Sequence, residues 1–466
     1  MSAPILWIVL PLALSFFLLF VPDERWVGWL GGLTALTLAA LALFFPTDSA
    51  QLVLDLFSVR IDSTLTLLGR QIQLTPADQL ILVLAYGIGA FWFLGALTVG
   101  SARRVVPLGL AIVALLVASL AVKLFLYAAP LLEMAVLLSL PMLAAAGESA
   151  GRGVARFWVY QSLALPFILL AGFLLSGIEA GPRDFALVAP AALLLGLGFA
   201  FLLSVFPLYA WIPMLAEEAP PYVMGFLLTV LPTFHLLFGL NFVDRYAWMR
   251  ESPQFFLIIR LVGLMTLVSA GVFAMFQRHL GRMLGYFVAA EIGLSLVALS
   301  LSNHITSLQL IFGLIMPRTL ALGMWALSLA VLNNATGTLS LPALKGLARR
   351  YPLAAAGTIF SMLSLSGVPL LAGFPLRQSL WEALAAESPA AALWLGISSL
   401  GLWVASLRAL AVLVLAAEMP WASAENFSQR ALIGLGILSL FLIGIFPQWV
   451  NPLLVNLPGM FERFGK

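Results

Sequence analysis

The chain has 466 residues, of which 62% are hydrophobic and 9% are charged, and its mean hydropathy is +1.08. A water-soluble protein of this length needs more charge to cover its surface, so the composition indicates an integral membrane protein. The net charge of +3 is scattered, without the basic run typical of nucleic-acid binding, and the lack of cysteine excludes disulfides, iron–sulfur clusters and thiolate metal sites.

Apolar windows bounded by charge, proline or glycine predict about fourteen transmembrane helices, each long enough for the roughly 20 apolar residues that cross a bilayer. The first window lacks a basic n-region and a cleavage site, so we interpret it as a retained helix. The predicted spans are Ile5–Val21, Trp26–Phe45, Gln79–Val99, Val105–Val122, Leu124–Ala144, Val154–Leu175, Phe185–Phe206, Tyr222–Val243, Phe255–Phe276, Met283–Leu301, Ile305–Leu332, Leu353–Leu370, Ala391–Ala417 and Ala431–Val450.

One connection between predicted spans is long and mixes β-forming residues with charges. Its period-two pattern, within Pro46–Asp78, predicts a short extramembrane hairpin. Since no segment is long enough to form a separate soluble domain, we predict one membrane domain over residues 1–466.

Two predicted spans carry helix-breaking residues inside apolar sequence. A proline removes a backbone donor and clashes with the preceding turn, so both helices are expected to break within the membrane. The break candidates are Pro207 and Pro213 in the seventh span and Gly367, Pro369 and Gly373 in the twelfth.

The two breaks lie five spans apart, and interrupted helices at matching positions are typical of transporters built from inverted repeats. We therefore predict a first five-helix repeat over residues 105–243 and a second over 255–417, inverted because each has an odd number of spans. The alternative is that proline and glycine are simply more frequent in membrane helices. The predicted fold class is an all-α integral membrane protein of about fourteen helices, with two inverted five-helix repeats and two broken helices.

The loops also predict an orientation. Lysine and arginine are more numerous in the loops that follow odd-numbered spans, which the positive-inside rule assigns to the cytoplasm. Both termini are then predicted on the non-cytoplasmic side.

Several motifs occur in the order typical of one family. The block GFAFLLSVFPLYAWIPMLAEEAPP resembles the broken seventh helix of the antiporter-like membrane subunits of respiratory complex I and Mrp antiporters. The stretches LFLYAAPLLEMAVLLSLPML, QRHLGRMLGYFVAAEIG and SGVPLLAGFPLRQ resemble further family segments, from about Gln79 to Glu418. The residues of the first block that match in register are Gly198, Phe199, Ala200, Pro207, Trp211, Pro213, Ala219 and Pro220.

The resemblance implies a proton-translocation subunit in the membrane arm of a complex I-like NADH:quinone oxidoreductase. Such a subunit works beside other membrane-arm subunits in the lipid bilayer, here the inner membrane of a bacterium, and moves protons or alternatively Na⁺. It implies no catalytic site, cofactor or metal of its own, because the redox chemistry lies elsewhere in the complex.

The sequence departs from the family at its buried lysines. The seventh-helix lysine corresponds to Leu202, the eighth-helix lysine falls near Thr233, and the eleventh- and twelfth-helix lysines correspond to Arg318 and Arg377. A buried lysine loses its proton readily, whereas arginine keeps its proton at physiological pH and is a poor relay.

Five residues are candidates for an ion path. Glu133 matches the family's coupling carboxylate, and the alternative is a hydrogen-bonded structural glutamate. His235 is either a substitute for a missing lysine or a satisfied core histidine. Glu291 indicates an ion path or a salt bridge with Arg318 as a partner, and for Arg318 and Arg377 a structural ion pair is as good an explanation as conduction.

Three other functions are alternatives to proton translocation in such a complex. The lysine losses favour a scaffold subunit that has lost conduction. The same fold also occurs in Mrp-type Na⁺/H⁺ antiporters, membrane-bound hydrogenases and inorganic-carbon uptake complexes. An autonomous transporter of a small solute would instead carry polar residues at the helix breaks, which here are almost wholly apolar.

Overall fold

The computed structural model describes residues 2–44, 51–54, 57–60, 62–67, 69–123, 127–144, 151–175, 185–415, 421–449, 459, 461 and 463–464. Helices make up most of this part of the chain, and a π-helical turn at Ile5–Val9 leads directly into the first α-helix. The helices are α1 Leu10–Leu18, α2 Glu24–Phe44, α3 Gln79–Ala96, α4 Ala102–Ala121, α5 Ala128–Leu143, α6 Arg152–Leu175, α7 Phe185–Leu202, α8 Trp211–Glu218, α9 Pro221–Arg245, α10 Ala247–Arg250, α11 Pro253–Ala274, α12 Leu280–Leu299, α13 His304–Thr336, α14 Pro352–Leu365, α15 Phe374–Glu387, α16 Pro389–Val414 and α17 Phe427–Ile445.

Many of these helices match the dimensions of a bilayer. Within the described residues, ten are long and apolar enough to cross a membrane, namely α2, α3, α4, α6, α9, α11, α12, α13, α16 and α17. Four further apolar helices are shorter: Ile5–Leu18, Ala128–Leu143, Val188–Leu202 and Pro352–Leu365. The multi-pass helical membrane fold is thus confirmed, and the exact count of fourteen spans stays a prediction.

The connection after α2 forms two β-hairpins where one was predicted. Strands β1 Gln51–Leu54 and β2 Phe57–Arg60 pair antiparallel, and so do β3 Thr64–Leu67 and β4 Arg70–Gln73. The second hairpin turns at Gly69, whose φ of +71° suits glycine because it has no Cβ. The all-α description holds for the membrane part, and the four short strands lie in the connection where a hairpin was predicted.

Backbone packing divides the chain into two compact units. Unit 1 comprises Met1–Glu148, Trp158–Leu202 and Phe234–Phe242, and unit 2 comprises Ser149–Phe157, Leu203–Thr233 and Val243–Lys466. A division into compact units does not test whether the chain contains internal repeats. The single domain and the repeats over 105–243 and 255–417 therefore stay predictions.

In unit 1, glycines on one face of α2 bring neighbouring helices close. A Cβ at Gly28, Gly31 or Gly32 would overlap side chains at the end of α3 or the start of α4. Small residues have this role in membrane helices, where lipid is as apolar as leucine and helix association depends on close van der Waals packing.

In unit 2, α11 packs closely against α12 and α16 in the same way. A Cβ at Gly293 of α12 would lie 2.6 Å from the backbone nitrogen of Leu267 in α11. A Cβ at Gly401 of α16 would overlap the carbonyl group of Gly271 in α11. These glycines allow backbone-to-backbone contact, and they fix the framework that carries the buried charges of unit 2.

Candidate functional site

The first interruption separates α7, which ends at Leu202, from α8, which begins at Trp211. Pro207 lies between them, directly before a 3₁₀ turn at Leu208–Ala210, and Pro213 is the third residue of α8. The freed backbone groups find new partners, because the Phe206 N–H donates to the Thr266 hydroxyl at 2.9 Å.

The second interruption separates α14, which ends at Leu365, from α15, which begins at Phe374. Gly367 has a φ of +76° and Pro369 lies in the turn that follows it. Gly373 caps the start of α15 and donates its N–H to the Ser364 hydroxyl at 3.2 Å. Arg377 is therefore placed in the first turn of α15, directly after this non-helical segment.

Three of the predicted site residues meet in unit 2. The Nε–H of Arg318, on α13, donates to Glu291 Oε2 on α12 at 2.9 Å, and the second guanidinium, from Arg377 on α15, donates through Nη2 to Glu291 Oε1. Arg318 Nη2 also donates to the Glu291 carbonyl oxygen at 3.0 Å and to Ser295 Oγ at 2.6 Å. We call Glu291, Arg318 and Arg377 the Arg–Glu–Arg triad.

The triad is deeply buried, since Glu291 is 2% exposed, Arg318 6% and Arg377 5%. Each carboxylate oxygen accepts from a different guanidinium, so the carboxylate is well compensated. Without these partners, a carboxylate in an apolar interior would carry a desolvation cost of roughly several kcal/mol. The sequence anticipated Arg318 as a partner of Glu291, and the structure adds Arg377 as a second.

His235 lies in unit 1, on α9, and is fully buried. Its Nδ1 lies 3.1 Å from the carbonyl oxygen of Leu202, where α7 ends, and the Gln161 side-chain amide donates to the same oxygen at 3.2 Å. A carbonyl oxygen only accepts, so Nδ1 carries the proton in this contact. Nε2 has no hydrogen-bond partner among the described residues.

Glu133 lies in unit 1 on α5 and is half-buried. Its Oε1 accepts a hydrogen bond of 2.5 Å from the hydroxyl of Ser162 on α6. Within the described residues, Glu133 and His235 share no hydrogen bond or ion pair with each other. The five ion-path candidates thus form one triad and two separate positions.

Two of the four positions that the resemblance matches to the family's lysines, those in the seventh and eighth predicted spans, are apolar or neutral here. Leu202 is a buried aliphatic residue, and the Thr233 hydroxyl donates to the Thr229 carbonyl within its own helix at 2.6 Å. Neither side chain carries a titratable proton at physiological pH.

The structure also contains a charged pair that sequence reasoning missed. Arg260, near the start of α11, forms an ion pair with Glu387, the last residue of α15, and donates to the Ser300 carbonyl at 2.8 Å. Glu387 also accepts from the Ser302 N–H at 2.8 Å. The only signal in the sequence is a single arginine inside an apolar span, which by itself does not indicate its partner.

The glutamates at the end of α8 make polar contacts within unit 2. Glu217 forms an ion pair with Arg282 at 2.5 Å. Glu218 accepts from the Gly153 N–H at 2.7 Å. Both carboxylates therefore tie α8 to neighbouring segments of unit 2. No group of three or more His, Asp or Glu side chains suited to a metal ion occurs in the described ranges.

Comparison with known proteins shows which proteins this chain resembles. The family model described as "NADH:quinone oxidoreductase/Mrp antiporter, TM" matches residues 154–402, just over half of the chain. The matched region contains both helix interruptions, His235 and the Arg–Glu–Arg triad.

Individual relatives agree with the family match. NADH-quinone oxidoreductase subunit N 2 of Acidobacterium capsulatum is 24% identical over 65% of this chain and 66% of its own length. NADH-quinone oxidoreductase subunit 14 of Thermus thermophilus is 28% identical over 68% of this chain and 73% of its own length. The alignments to the first four curated relatives span between 39% and 66% of those proteins' lengths, less than two thirds in each case.

A solved structure shows the same fold along the whole chain. A chain of the Mrp complex from Dietzia sp. superposes with a TM-score of 0.83 at 16% identity, covering 100% of this chain and 99% of the other. The resemblance drawn from the sequence motifs is thus confirmed. This chain belongs to the NADH:quinone oxidoreductase/Mrp antiporter family of membrane proteins.

Proposed function

We propose that the chain is an ion-translocating, antiporter-like subunit in the membrane arm of a complex I-like NADH:quinone oxidoreductase, and that the ion is the proton. The observation that carries this proposal is the family match over residues 154–402, which includes both interrupted helices and the buried charges. Relatives named as NADH-quinone oxidoreductase subunits favour this complex.

Ionisable groups in both units support translocation. An ionisable residue inside a membrane helix is costly, so its presence favours a role in an ion path. In unit 1 these groups are Glu133, bonded to Ser162, and His235, whose Nε2 has no partner among the described residues. In unit 2 they are those of the Arg–Glu–Arg triad. In this proposal, Glu133 and His235 each gain and lose a proton during translocation, whereas Arg318 and Arg377 stay protonated and supply a constant positive charge.

The organisation proposed for the chain is one membrane domain of fourteen spans. Two inverted five-helix repeats, residues 105–243 and 255–417, each contain one interrupted helix at the corresponding position. Both termini lie on the non-cytoplasmic side of a bacterial inner membrane, as the loop charges indicate. Its partners are other membrane-arm subunits, and the surrounding solvent is lipid.

Two alternatives are each favoured by one observation. Leu202 and Thr233 stand where the family carries conducting lysines, which favours a scaffold subunit that does not conduct. The likeness to the Mrp complex fold favours a subunit of an Mrp-type cation/proton antiporter, with Na⁺ as the partner ion.

Subunit composition tests the proposal. The chain, carrying an affinity tag in its native host, is purified with its complex in a mild detergent, and the co-purifying proteins are identified by mass spectrometry. We expect flavin-binding and iron–sulfur subunits in stoichiometric amounts. A complex that contains only other membrane subunits would contradict the assignment to a complex I-like enzyme and favour the Mrp alternative.

A further inference from the structure

The Arg–Glu–Arg triad has an excess of one positive charge. Arginine stays protonated in proteins, so two guanidinium groups face one carboxylate, and the remaining polar contacts of the triad are neutral. Among the described residues, the ion pairs of Arg318 and Arg377 both end on Glu291. All three side chains are more than nine-tenths buried, and an uncompensated charge in an apolar interior is strongly unfavourable.

Donors of both arginines also remain unused. Arg318 donates through Nε and Nη2, and Arg377 donates through Nη2. Among the described residues, Arg318 Nη1 and the Nε and Nη1 of Arg377 have no hydrogen-bond partner. These nitrogens can still donate to a further acceptor, so a species that accepts hydrogen bonds is favoured at this place.

The two observations point to the same chemistry. A water molecule would accept hydrogen bonds from the free donors but would leave the extra positive charge. A second carboxylate of this chain would neutralise that charge, but among the described residues both arginines pair with the same carboxylate, that of Glu291. A monovalent anion satisfies the free donors and neutralises the site in one step. The anion must be compact, because α12, α13 and α15 bury the guanidinium groups.

We propose that Arg318 and Arg377, bridged by Glu291, form a binding site for one compact monovalent anion, such as a halide, taken from solution. The site uses residues other than Glu133 and His235, the proton-exchanging groups of the proposed function, and the bound anion neutralises the triad. A lipid phosphate group has the same charge and accepts the same hydrogen bonds, so the experiment separates the two sources.

Thermal unfolding of the purified full-length chain in a neutral detergent tests the site. Sodium chloride is exchanged for sodium gluconate at constant pH and ionic strength, because gluconate is too bulky for a buried site. By mass action, about a hundredfold rise in chloride is expected to raise the unfolding temperature by several degrees in a saturable way. Bromide is expected to replace chloride, and a chloride-independent unfolding temperature would overturn the proposal.

Variants assign the effect to the triad. Arg377→Gln leaves one arginine against one carboxylate, and we expect the chloride dependence to disappear. Glu291→Gln raises the excess charge, and we expect the dependence to increase. The matched control is Arg282→Gln, since Arg282 is 43% exposed in its pair with Glu217 and should leave the chloride dependence unchanged. Equal chloride dependence in wild type and Arg377→Gln would overturn the assignment.

A measurement on the wild-type protein covers the case in which a variant does not fold. Addition of the protein is expected to broaden the ³⁵Cl NMR resonance, and excess bromide is expected to reverse the broadening. Chloride is then replaced by vesicles or micelles with phosphatidylglycerol. If phosphatidylglycerol stabilises the protein and removes both chloride effects, the site belongs to a lipid phosphate and the proposal of a free anion fails.

Discussion

Glu291 is the residue on which the charges of unit 2 depend. Its carboxylate forms ion pairs with two guanidinium groups at once, and its backbone oxygen accepts from Arg318 as well. Removing one member of a buried ionic network leaves the others without compensation, which costs more than the network itself contributes.

Glu291→Ala is expected to lower the free energy of unfolding by about 3–5 kcal/mol, because it leaves two buried arginines unpaired. Chemical denaturation of the purified chain checks this value. The triple variant Glu291→Leu, Arg318→Met and Arg377→Met removes all three charges and should recover most of the loss. A triple variant no more stable than Glu291→Ala would contradict the electrostatic explanation.

Sequence reasoning reached the charged residues of the triad but not all of their contacts. Glu291 and Arg318 stand out because each is an ionisable residue inside a long apolar run. The contact of Glu291 with Arg377 joins residues 86 positions apart, and the pair of Arg260 and Glu387 joins residues 127 positions apart. Such pairs follow from how helices pack, which the charge pattern of a single sequence does not encode.

At the scale of elements, the interrupted helices are the features that the sequence indicates best. Proline and glycine act through local backbone geometry, so their effect is visible without tertiary information. The lengths are harder to predict, since Pro213 lies inside α8 and the connection after α2 forms a second hairpin. The close approach of α11 and α16 through Gly271 and Gly401 likewise requires the three-dimensional packing.

Gly367→Ala tests how the second interruption positions Arg377. An alanine at a φ of +76° is strained by about 1–3 kcal/mol, and its Cβ would lie 2.7 Å from Arg377 Cδ. Gly337→Ala is the matched control, because Gly337 has a φ of +71° and no neighbour within 4 Å of an added Cβ. Unfolding temperatures should fall in both variants and further in Gly367→Ala, and equal losses would contradict a contact with Arg377.

Gly401→Ala tests the packing of α11 against α16. The added methyl group would overlap the carbonyl of Gly271, and overpacking of this kind costs about 1–3 kcal/mol. Gly396→Ala on the same helix is the control, because an added Cβ there has no neighbour within 4 Å. Denaturation of the two variants should show a loss only for Gly401→Ala. A loss of the same size at Gly396 would contradict the packing explanation, because helix propensity alone favours alanine over glycine.

At the scale of the whole molecule, composition and motif order were sufficient for the membrane fold and the family, because both depend on features repeated along the chain. The conduction mechanism depends on a few side chains, and here the family's lysine positions hold Leu202, Thr233 and two arginines. Translocation by this subunit therefore depends in our account on Glu133 and His235.

The most direct test is proton transport by the intact complex in proteoliposomes, measured as protons moved per NADH oxidised, with Glu133→Gln in this chain. Glu133→Gln keeps a hydrogen-bond acceptor for Ser162 but removes the titratable charge, and Glu382→Gln, at an exposed glutamate of α15, is the control. Our account predicts a lower ratio for Glu133→Gln with unchanged subunit composition, and a normal ratio for the control. An unchanged ratio for Glu133→Gln would contradict translocation through this subunit.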